Sequence, residues 1–253
     1  MPSRLPLSVT LITLNAAHQI AACLASVAFA DEILVVDCGS VDDTIQIAQQ
    51  HGARVLHQDW LGYGAQKQFA VEQAKHDWVL CVDADERVSE TLRNSIEAAL
   101  VQPQAHGFTM PRCNKFLGRW LRHGEGYPDW SLRLFHRAHG RWSADPVHEK
   151  VALDSPASLL KGDLLHESSE DLAAYLAKQN RYTSLAAESL FKRGKRVGIV
   201  RLALSPVLRF IKFYVLRLGF LDGAAGLVHI SIGCHNSLMK YAKLMALQQG
   251  RDD

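Results

Sequence analysis

No stretch of about eighteen uncharged apolar residues occurs in the chain, which argues against a spanning helix. Cysteines are few, odd in number and scattered: Cys23, Cys38, Cys81, Cys113 and Cys234. Without a C-x-x-C pair neither a zinc site nor a disulfide framework is indicated, and reduced thiols in a cytosolic compartment are the simpler reading. There is no internal repeat, no low-complexity tract and no recognised nucleic-acid module, so nucleic acid is not an expected partner. A secretory leader is not expected either. Arg4, the apolar run from Leu5 and the small residues near Ala30 imitate one, but Thr10, Thr13, Asn15, His18 and Gln19 interrupt the run.

What is present is ordinary globular material, 253 residues of which 48% are hydrophobic, enough for a sizeable core. Net charge is only +2, yet it is uneven. From Lys192 onward there are 11 Lys/Arg and 3 Asp/Glu, a balance of +8, which leaves −6 for the first 191 residues. A basic, apolar tail on a mildly acidic body points to an anionic partner.

The first hundred residues alternate strand and helix. Ser8–Leu14, Glu32–Val36, Ala53–His57 and Trp78–Val82 read as strands. The segments after Asn15 (to about Ala28), Asp42–His51, Tyr63–Lys75 and Ser89–Leu100 read as helices, with Asn15 and Ser89 as caps. This order predicts an α/β fold with a mainly parallel sheet and right-handed crossovers. Ligands in such sheets sit outside the carboxyl ends of the strands, here just after Leu14, Val36 and Val82. Residues 105–166, with short strands and many Gly, Pro, Trp and His, read as the second half of one domain (1–166). Residues 167–253 read as a helical extension in which Ser168 and Asp171 resemble a capping box and Ser205-Pro206 starts a new helix. Gly198–Leu221 mixes aliphatics with Arg201, Arg209, Lys212 and Arg217, as in an amphipathic helix lying on a membrane surface.

Asp83-Ala84-Asp85 follows the fourth strand. Extended residues alternate faces, so both carboxylates are expected to point the same way and to hold a hard divalent cation. A solvated acidic turn is the competing reading. Asp37 ends the second strand within Asp37-Cys-Gly-Ser40-Val-Asp42, where a carboxylate can accept a uracil imide N–H and Gly39 lets the backbone turn close to the base. Ser40 or Asp42 can also cap the following helix.

In order, strand 8–15, the D-x-G-S-x-D segment at 37–42, Gly62-Tyr-Gly-Ala-Gln-Lys67 and Val82-Asp-Ala-Asp-Glu86 resemble glycosyltransferase family 2. Asp129-Trp-Ser-Leu-Arg-Leu-Phe135, Val147-His-Glu149 and Gly219-Phe-Leu-Asp-Gly223 are similar to the lipopolysaccharide-core β-1,4-glucosyltransferase branch. The resemblance implies the A-type nucleotide-sugar transferase fold and inverting transfer of a hexose, glucose from UDP-glucose, to a lipopolysaccharide-core or related glycolipid acceptor. It implies that Asp37 contacts uracil, that Thr13, Asn15, Gly39 and Ser40 line the nucleotide pocket with Lys67 near it, and that Asp83 lies near the ribose. It places Asp85 on a Mg²⁺ or Mn²⁺ ion, with Asp83 and His148 as further ligands and His166 as another histidine that can complete the shell. Two positions depart from relatives, Ala16 in place of an acidic residue and Gln68 in place of asparagine.

Inversion needs a base for the acceptor hydroxyl. Asp129 is the first candidate and Glu149 the second, the competing reading being structural pairing with Arg133, Arg137 or Lys150. Trp120, Tyr127, Trp130 and Trp142 are candidates for a sugar platform or for core. The expected location is peripheral, on the cytoplasmic face of the inner membrane. Competing functions are polyprenyl-phosphate glycosyl transfer, metal-dependent phosphohydrolysis through the D-x-D pair, and silent nucleotide-sugar binding.

Overall fold

A computed structural model describes residues 4–143, 149–168 and 171–250. The chain divides into two compact units, residues 1–113 with 129–167, and residues 114–128 with 168–253. The segment 114–128, which the sequence places in the first domain, therefore groups with the helices that follow residue 167.

In the first unit the elements run β1 (Leu7–Thr13), α1 (Ile20–Ser26), β2 (Glu32–Asp37), α2 (Thr44–Gln50), β3 (Arg54–His57), α3 (Tyr63–Gln73), β4 (Trp78–Cys81), β5 (Glu86–Val88), α4 (Glu90–Val101) and β6 (Gly107–Phe116). A two-residue β7 (Arg119–Trp120) belongs to the second unit. The first unit resumes with β8 (Asp129–His136), β9 (Gly140–Trp142), β10 (Val151–Leu153), β11 (Ser158–Leu159) and β12 (Leu164–His166). The main sheet has the order β3-β2-β1-β4-β8-β6-β12-β5. Strands β3, β2, β1 and β4 are parallel, as expected, whereas β4–β8, β8–β6 and β12–β5 pair antiparallel.

The packing follows from the strand pattern. Leu7, Val9 and Leu11 of β1 turn into a core shared with Ile20 and Leu24 of α1 and with Leu92 and Ile96 of α4. Full burial of each such side chain contributes about 1.5–3 kcal/mol. On the other face Val71 of α3 packs with Val79, Phe135 and Trp142. The alternate residues of β1 on that side are polar but satisfied: Ser8 donates to Glu32 at 2.5 Å, and Thr10 to the Cys81 sulfur at 3.3 Å. Strand β1 lies between β2 and β4, and successive strands are added on opposite sides of it. That reversal opens a crevice at the carboxyl ends of β1, β2 and β4.

Several local expectations change. Ser89 does cap α4, accepting from the Leu92 amide at 3.3 Å. Asn15 caps nothing: α1 begins only at Ile20, and Asn15 takes a left-handed φ of 51°. Residues 83–85 form a turn rather than extended chain.

In the second unit, α5 (Leu172–Lys192) is capped by Asp171, which accepts from the Ala174 amide at 2.7 Å, instead of by Ser168. Helix α6 (Ile199–Phe210) contains Pro206 in its interior instead of at its start. A wider π turn (Ile211–Leu216) and a 3₁₀ turn (Gly219–Asp222) lead to α7 (Gly223–Gln249). The glycines of α7 serve close packing. A Cβ on Gly226 would fall 2.4 Å from the Gly219 carbonyl oxygen. Buried Asp222 accepts from the Arg122 amide at 3.0 Å, the His123 amide at 2.9 Å and His123 Nδ1 at 2.9 Å, which ties segment 114–128 to the helices.

Candidate active site

The loops after β1 and β2 are laced together by the residues expected to bind the nucleotide. Asp37 is fully buried. Its Oδ1 accepts from the amides of Gly39 at 2.9 Å and Ser40 at 2.8 Å, and its Oδ2 from the hydroxyls of Thr13 at 2.8 Å and Ser40 at 2.5 Å. Both oxygens are thus saturated by the protein. Burial alone would push this carboxyl up, but the Ser40, Gly39 and Thr13 donors outweigh it and hold it below its ordinary value. In this structure Asp37 shapes the loop, with four protein donors on its two oxygens.

Asn15 completes the lacing. Its amide donates to Ser40 Oγ at 2.8 Å, and its side-chain oxygen accepts from the Val41 amide at 2.9 Å. Gly39 has φ +107° with open space around its Cβ position, so the requirement for glycine is conformational, not steric. Asp42 accepts from the Thr44 amide at 3.1 Å and the Thr44 hydroxyl at 2.5 Å. The two departures from relatives are structural here. The Ala16 amide donates to Thr44 Oγ1 at 2.7 Å, and Gln68 accepts from the Trp142 amide at 2.9 Å.

At the end of β4 the two aspartates of the D-x-D turn have different surroundings. Asp83 Oδ1 lies 2.9 Å from Lys67 Nζ, and its Oδ2 accepts from Arg133 at 2.9 Å. Arg133 also donates to Glu86 Oε1 at 3.0 Å, and Glu86 Oε2 accepts from the Asp83 amide at 3.0 Å. Glu86 is fully buried, and Lys67 and Arg133 are nearly so. Burial works against Asp83 ionising, yet Arg133 and Lys67 prevail and hold its carboxyl well below the usual carboxylate range. For Glu86, burial prevails over Arg133, Asp83 pushes the same way, and the carboxyl is raised. Asp85 faces elsewhere: its Oδ2 lies 3.1 Å from His166 Nε2, both side chains being partly open to solvent.

A cleft of about 470 Å³ lies against this network, lined among others by Lys67, Asp83, Trp130, Arg133, Trp142 and Glu149. Glu149 Oε1 stands 3.9 Å from Lys67 Nζ. The approach is set by Gly64 at the start of α3, where a Cβ would lie 2.2 Å from the Ser143 carbonyl oxygen. Only a glycine lets α3 come so close to the Ser143 carbonyl. Asp129 is engaged differently, its Oδ2 held by Arg112 Nε at 2.9 Å and by a second guanidinium nitrogen at 2.7 Å. Its partner is thus Arg112 and none of the three foreseen, Arg133, Arg137 or Lys150. Trp142 is buried under Lys67 and Arg133, whose cations stand 4.9 and 5.7 Å from its ring, so it is core rather than platform. Trp130 is half exposed at the cleft. His148 lies outside the described residues.

The sequence matches Glycosyl transferase family 2 over residues 8–152, more than half the chain. The chain belongs to that family. It is similar to the lipopolysaccharide core biosynthesis glycosyltransferase LpsC of Rhizobium meliloti (29% identical, covering 96% of this chain and 93% of the relative). It is also similar to an uncharacterised glycosyltransferase of Rickettsia typhi (31% identical, covering 95% and 87%). Among solved structures, Staphylococcus aureus TarS 1–349 in complex with UDP-GlcNAc aligns at 16% identity over 97% of this chain and 92% of that one, with a TM-score of 0.49.

As a family 2 glycosyltransferase, this chain uses residues that motif reading left without a role. Arg133 and Glu86 fall inside the quoted motifs, yet neither was singled out as a site residue. The signal for Arg133 is a charge inside the apolar run Leu132–Phe135; a count by two along β8 fails there, because the strand shifts register by one residue between Leu132 and Leu134. Arg112 has no such signal: its role comes from the pairing of β6 with β8, which sets Arg112 opposite Asp129.

Proposed function

We propose that the chain moves a hexose, glucose from UDP-glucose, onto a hydroxyl of a lipopolysaccharide-core or related glycolipid acceptor with inversion at the sugar. Glycosyl transfer is the family's activity, and the acceptor reading rests on the relative whose name assigns it to lipopolysaccharide core synthesis and which aligns over nearly its full length. The single observation that carries the chemistry is the cleft at the end of β4, where Glu149 faces the Lys67–Asp83–Arg133 network.

Glu149 is the better base. It lines the cleft, whereas Asp129 has Arg112 on its Oδ2 and does not line it. A base must reach the acceptor proton directly or through one water. Trp130 offers an exposed ring edge to the acceptor sugar at the same cleft.

Asp85 and His166 fit a divalent cation, because an oxygen and an imidazole nitrogen stand side by side and partly open to solvent. Asp83 does not fit, since Lys67 and Arg133 take both of its oxygens. An oxygen–nitrogen pair suits Mn²⁺ better than Mg²⁺, which prefers oxygen ligands. A cation held there supplies positive charge to offset that on a departing nucleoside diphosphate. Lys67 and Arg133 meanwhile fix Asp83, which steadies the turn that presents Asp85.

Peripheral attachment to an anionic membrane fits the second unit. Among the described residues no helix is long and apolar enough to cross a membrane. Helix α6 exposes Ile199, Val200, Leu204, Val207 and Leu208, a stripe at helical spacing. Exposed Lys192, Arg193, Lys195 and Arg196 directly precede it. The cations foreseen within the helix contribute less. Arg209 is spent on Glu125, and Arg217 donates to the Tyr127 carbonyl at 2.9 Å.

The test pairs two variants in an assay of UDP-glucose consumption with core-oligosaccharide acceptors. Glu149→Gln is expected to retain donor binding and to lose on the order of 10²–10⁴ in turnover, with Asp129→Asn far less affected. An inactive Asp129→Asn beside an active Glu149→Gln reverses the assignment. Hydrolysis of donor without transfer to any acceptor favours the phosphohydrolase reading.

A further inference from the structure

A cluster of metal-ligating side chains lies far from the donor crevice in the first unit. His106 precedes β6, His139 sits in the turn between β8 and β9, and Asp154 follows β10. Their ligand atoms all lie within 4.8 Å of one another. His139 Nδ1 is 2.7 Å from Asp154 Oδ2, and His106 Nδ1 is 3.5 Å from Asp154 Oδ1. The two imidazole rings stack with centroids 3.5 Å apart and planes 18° apart, so both Nδ1 atoms address the same carboxylate.

Topology separates this cluster from the catalytic end. His136 pairs with Trp78, the first residue of β4, whereas the D-x-D turn follows its last residue, Cys81. The cluster is therefore at the opposite edge of the sheet from Asp83, Asp85 and Glu149.

The backbone, not the side chains, sets the spacing. The His136 amide donates to the His106 carbonyl at 2.9 Å, the His139 amide to the His136 carbonyl at 2.9 Å, and the Asp154 amide to the His139 carbonyl at 3.1 Å. Three chain segments are thus held in register before any ion binds, which lowers the ordering cost of a site. Ligands on a tetrahedral ion of the zinc class sit about 3.4 Å apart, given metal–ligand bonds of roughly 2.1 Å. Turning the two imidazoles out of their stack would aim both nitrogens at one ion beside the carboxylate. All three side chains are partly open to solvent, leaving room for water in a fourth position.

We propose that His106, His139 and Asp154 form a binding site for a zinc-class divalent cation, built from imidazole and carboxylate without any cysteine. Two nitrogens and one oxygen select Zn²⁺, Ni²⁺ or Cu²⁺ over Mg²⁺. The ion would clip the open end of the β9–β10 hairpin, where Leu153 pairs with Gly140, the strands running on to the pair Val151 and Trp142. The same hairpin carries Trp142 and, just before β10, Glu149, so the clip would steady the acceptor side of the cleft from behind.

The experiment measures Zn²⁺ binding by isothermal titration and Co²⁺ binding by visible absorption. It is run on the full chain carrying Asp85→Ala and His166→Gln, which removes the other candidate cation pair. About one equivalent of Zn²⁺ is expected, with a tetrahedral-type Co²⁺ spectrum, and a rise in Tm with Zn²⁺ that Mg²⁺ does not produce. Adding His139→Gln, or separately His106→Gln, should weaken Zn²⁺ binding at least tenfold while the circular dichroism spectrum stays that of the parent. Either variant alone suffices if the other fails to fold. Unchanged Zn²⁺ affinity in both variants, or no saturable binding by the parent, overturns the proposal.

Discussion

Replacing Arg133 by Met tests whether the buried charges beneath the cleft act as one unit. Arg133 is almost wholly buried and bridges Asp83 and Glu86, at 2.9 and 3.0 Å. Met matches much of its length but removes the charge, leaving fully buried Glu86 with Arg112 Nη1 as its nearest remaining guanidinium nitrogen, at 3.6 Å. Removing one member of a buried pair costs about 3–5 kcal/mol. At roughly 2–4 °C per kcal/mol, Tm should fall on the order of 10 °C. The loss should also depend on pH, and the sign is fixed by Glu86. Burial already raises its carboxyl against the pull of Arg133. A carboxyl whose folded pKa is raised costs nothing below its unfolded value, about 4.3, and destabilises as pH climbs through the folded one. Without Arg133 that cost grows, and Asp83 loses a partner that favours its charged form above the same pH. The Tm deficit should therefore be larger at pH 8 than at pH 5, as read by circular dichroism melts of both proteins at both pH values. Arg133→Lys should fall between, since it restores the charge on a shorter side chain whose ammonium replaces the guanidinium nitrogen now shared by both carboxylates. A deficit of under about 3 °C, or one equal at the two pH values, refutes the reasoning.

Asp37→Asn should cost about 2–4 kcal/mol, because an amide cannot accept all the donors that now meet the two carboxylate oxygens. Its carboxyl is held below the ordinary value, so the wild-type advantage is present above about pH 4 and disappears as pH falls below it; Tm curves of the two proteins that fail to converge in acid would contradict this. Chelation should abolish transfer, and both Asp85→Ala and His166→Ala should raise the Mn²⁺ concentration needed for half-maximal rate, whereas full transfer in excess chelator removes the metal from the reading. Ile199→Ser with Leu204→Ser and Leu208→Ser should weaken binding to anionic vesicles without changing its salt dependence. Neutralising Lys192, Arg193, Lys195 and Arg196 should flatten the salt dependence, each cation contributing roughly 1 kcal/mol; equal co-sedimentation of wild type and both variants would make the stripe a packing surface instead.

The parallel half of the fold was legible because its strands are continuous apolar runs with breakers between them, and Leu7–Thr13 has nothing else it can be. The sequence also located the crevice, since strand ends and polar turn residues coincide at Thr13, Asp37 and Asp83. Residue type shows what a side chain can bond to, but not whether its bonds are already taken. Asp37 has the composition of a ligand residue and the hydrogen bonding of a turn residue. Asp83 and Asp85 have the spacing of a pair, and the turn at 83–85 gives one to Lys67 and Arg133 and the other to His166.

Helix α7 lies within the helical extension expected for residues 167–253, but the sequence does not explain its glycines. Gly223, Gly226 and Gly233 lower helix propensity, and only the partners they press against show why they are there. A Cβ on Gly233 would meet the Glu125 carboxylate at 2.4 Å, and that carboxylate pairs with Arg209 of α6. The same contact withdraws Arg209 from the basic face that the sequence assigned to a membrane. An ion pair formed across 84 residues leaves no trace in local composition, so the cations free to meet a lipid surface could be chosen only after the fold had claimed its own.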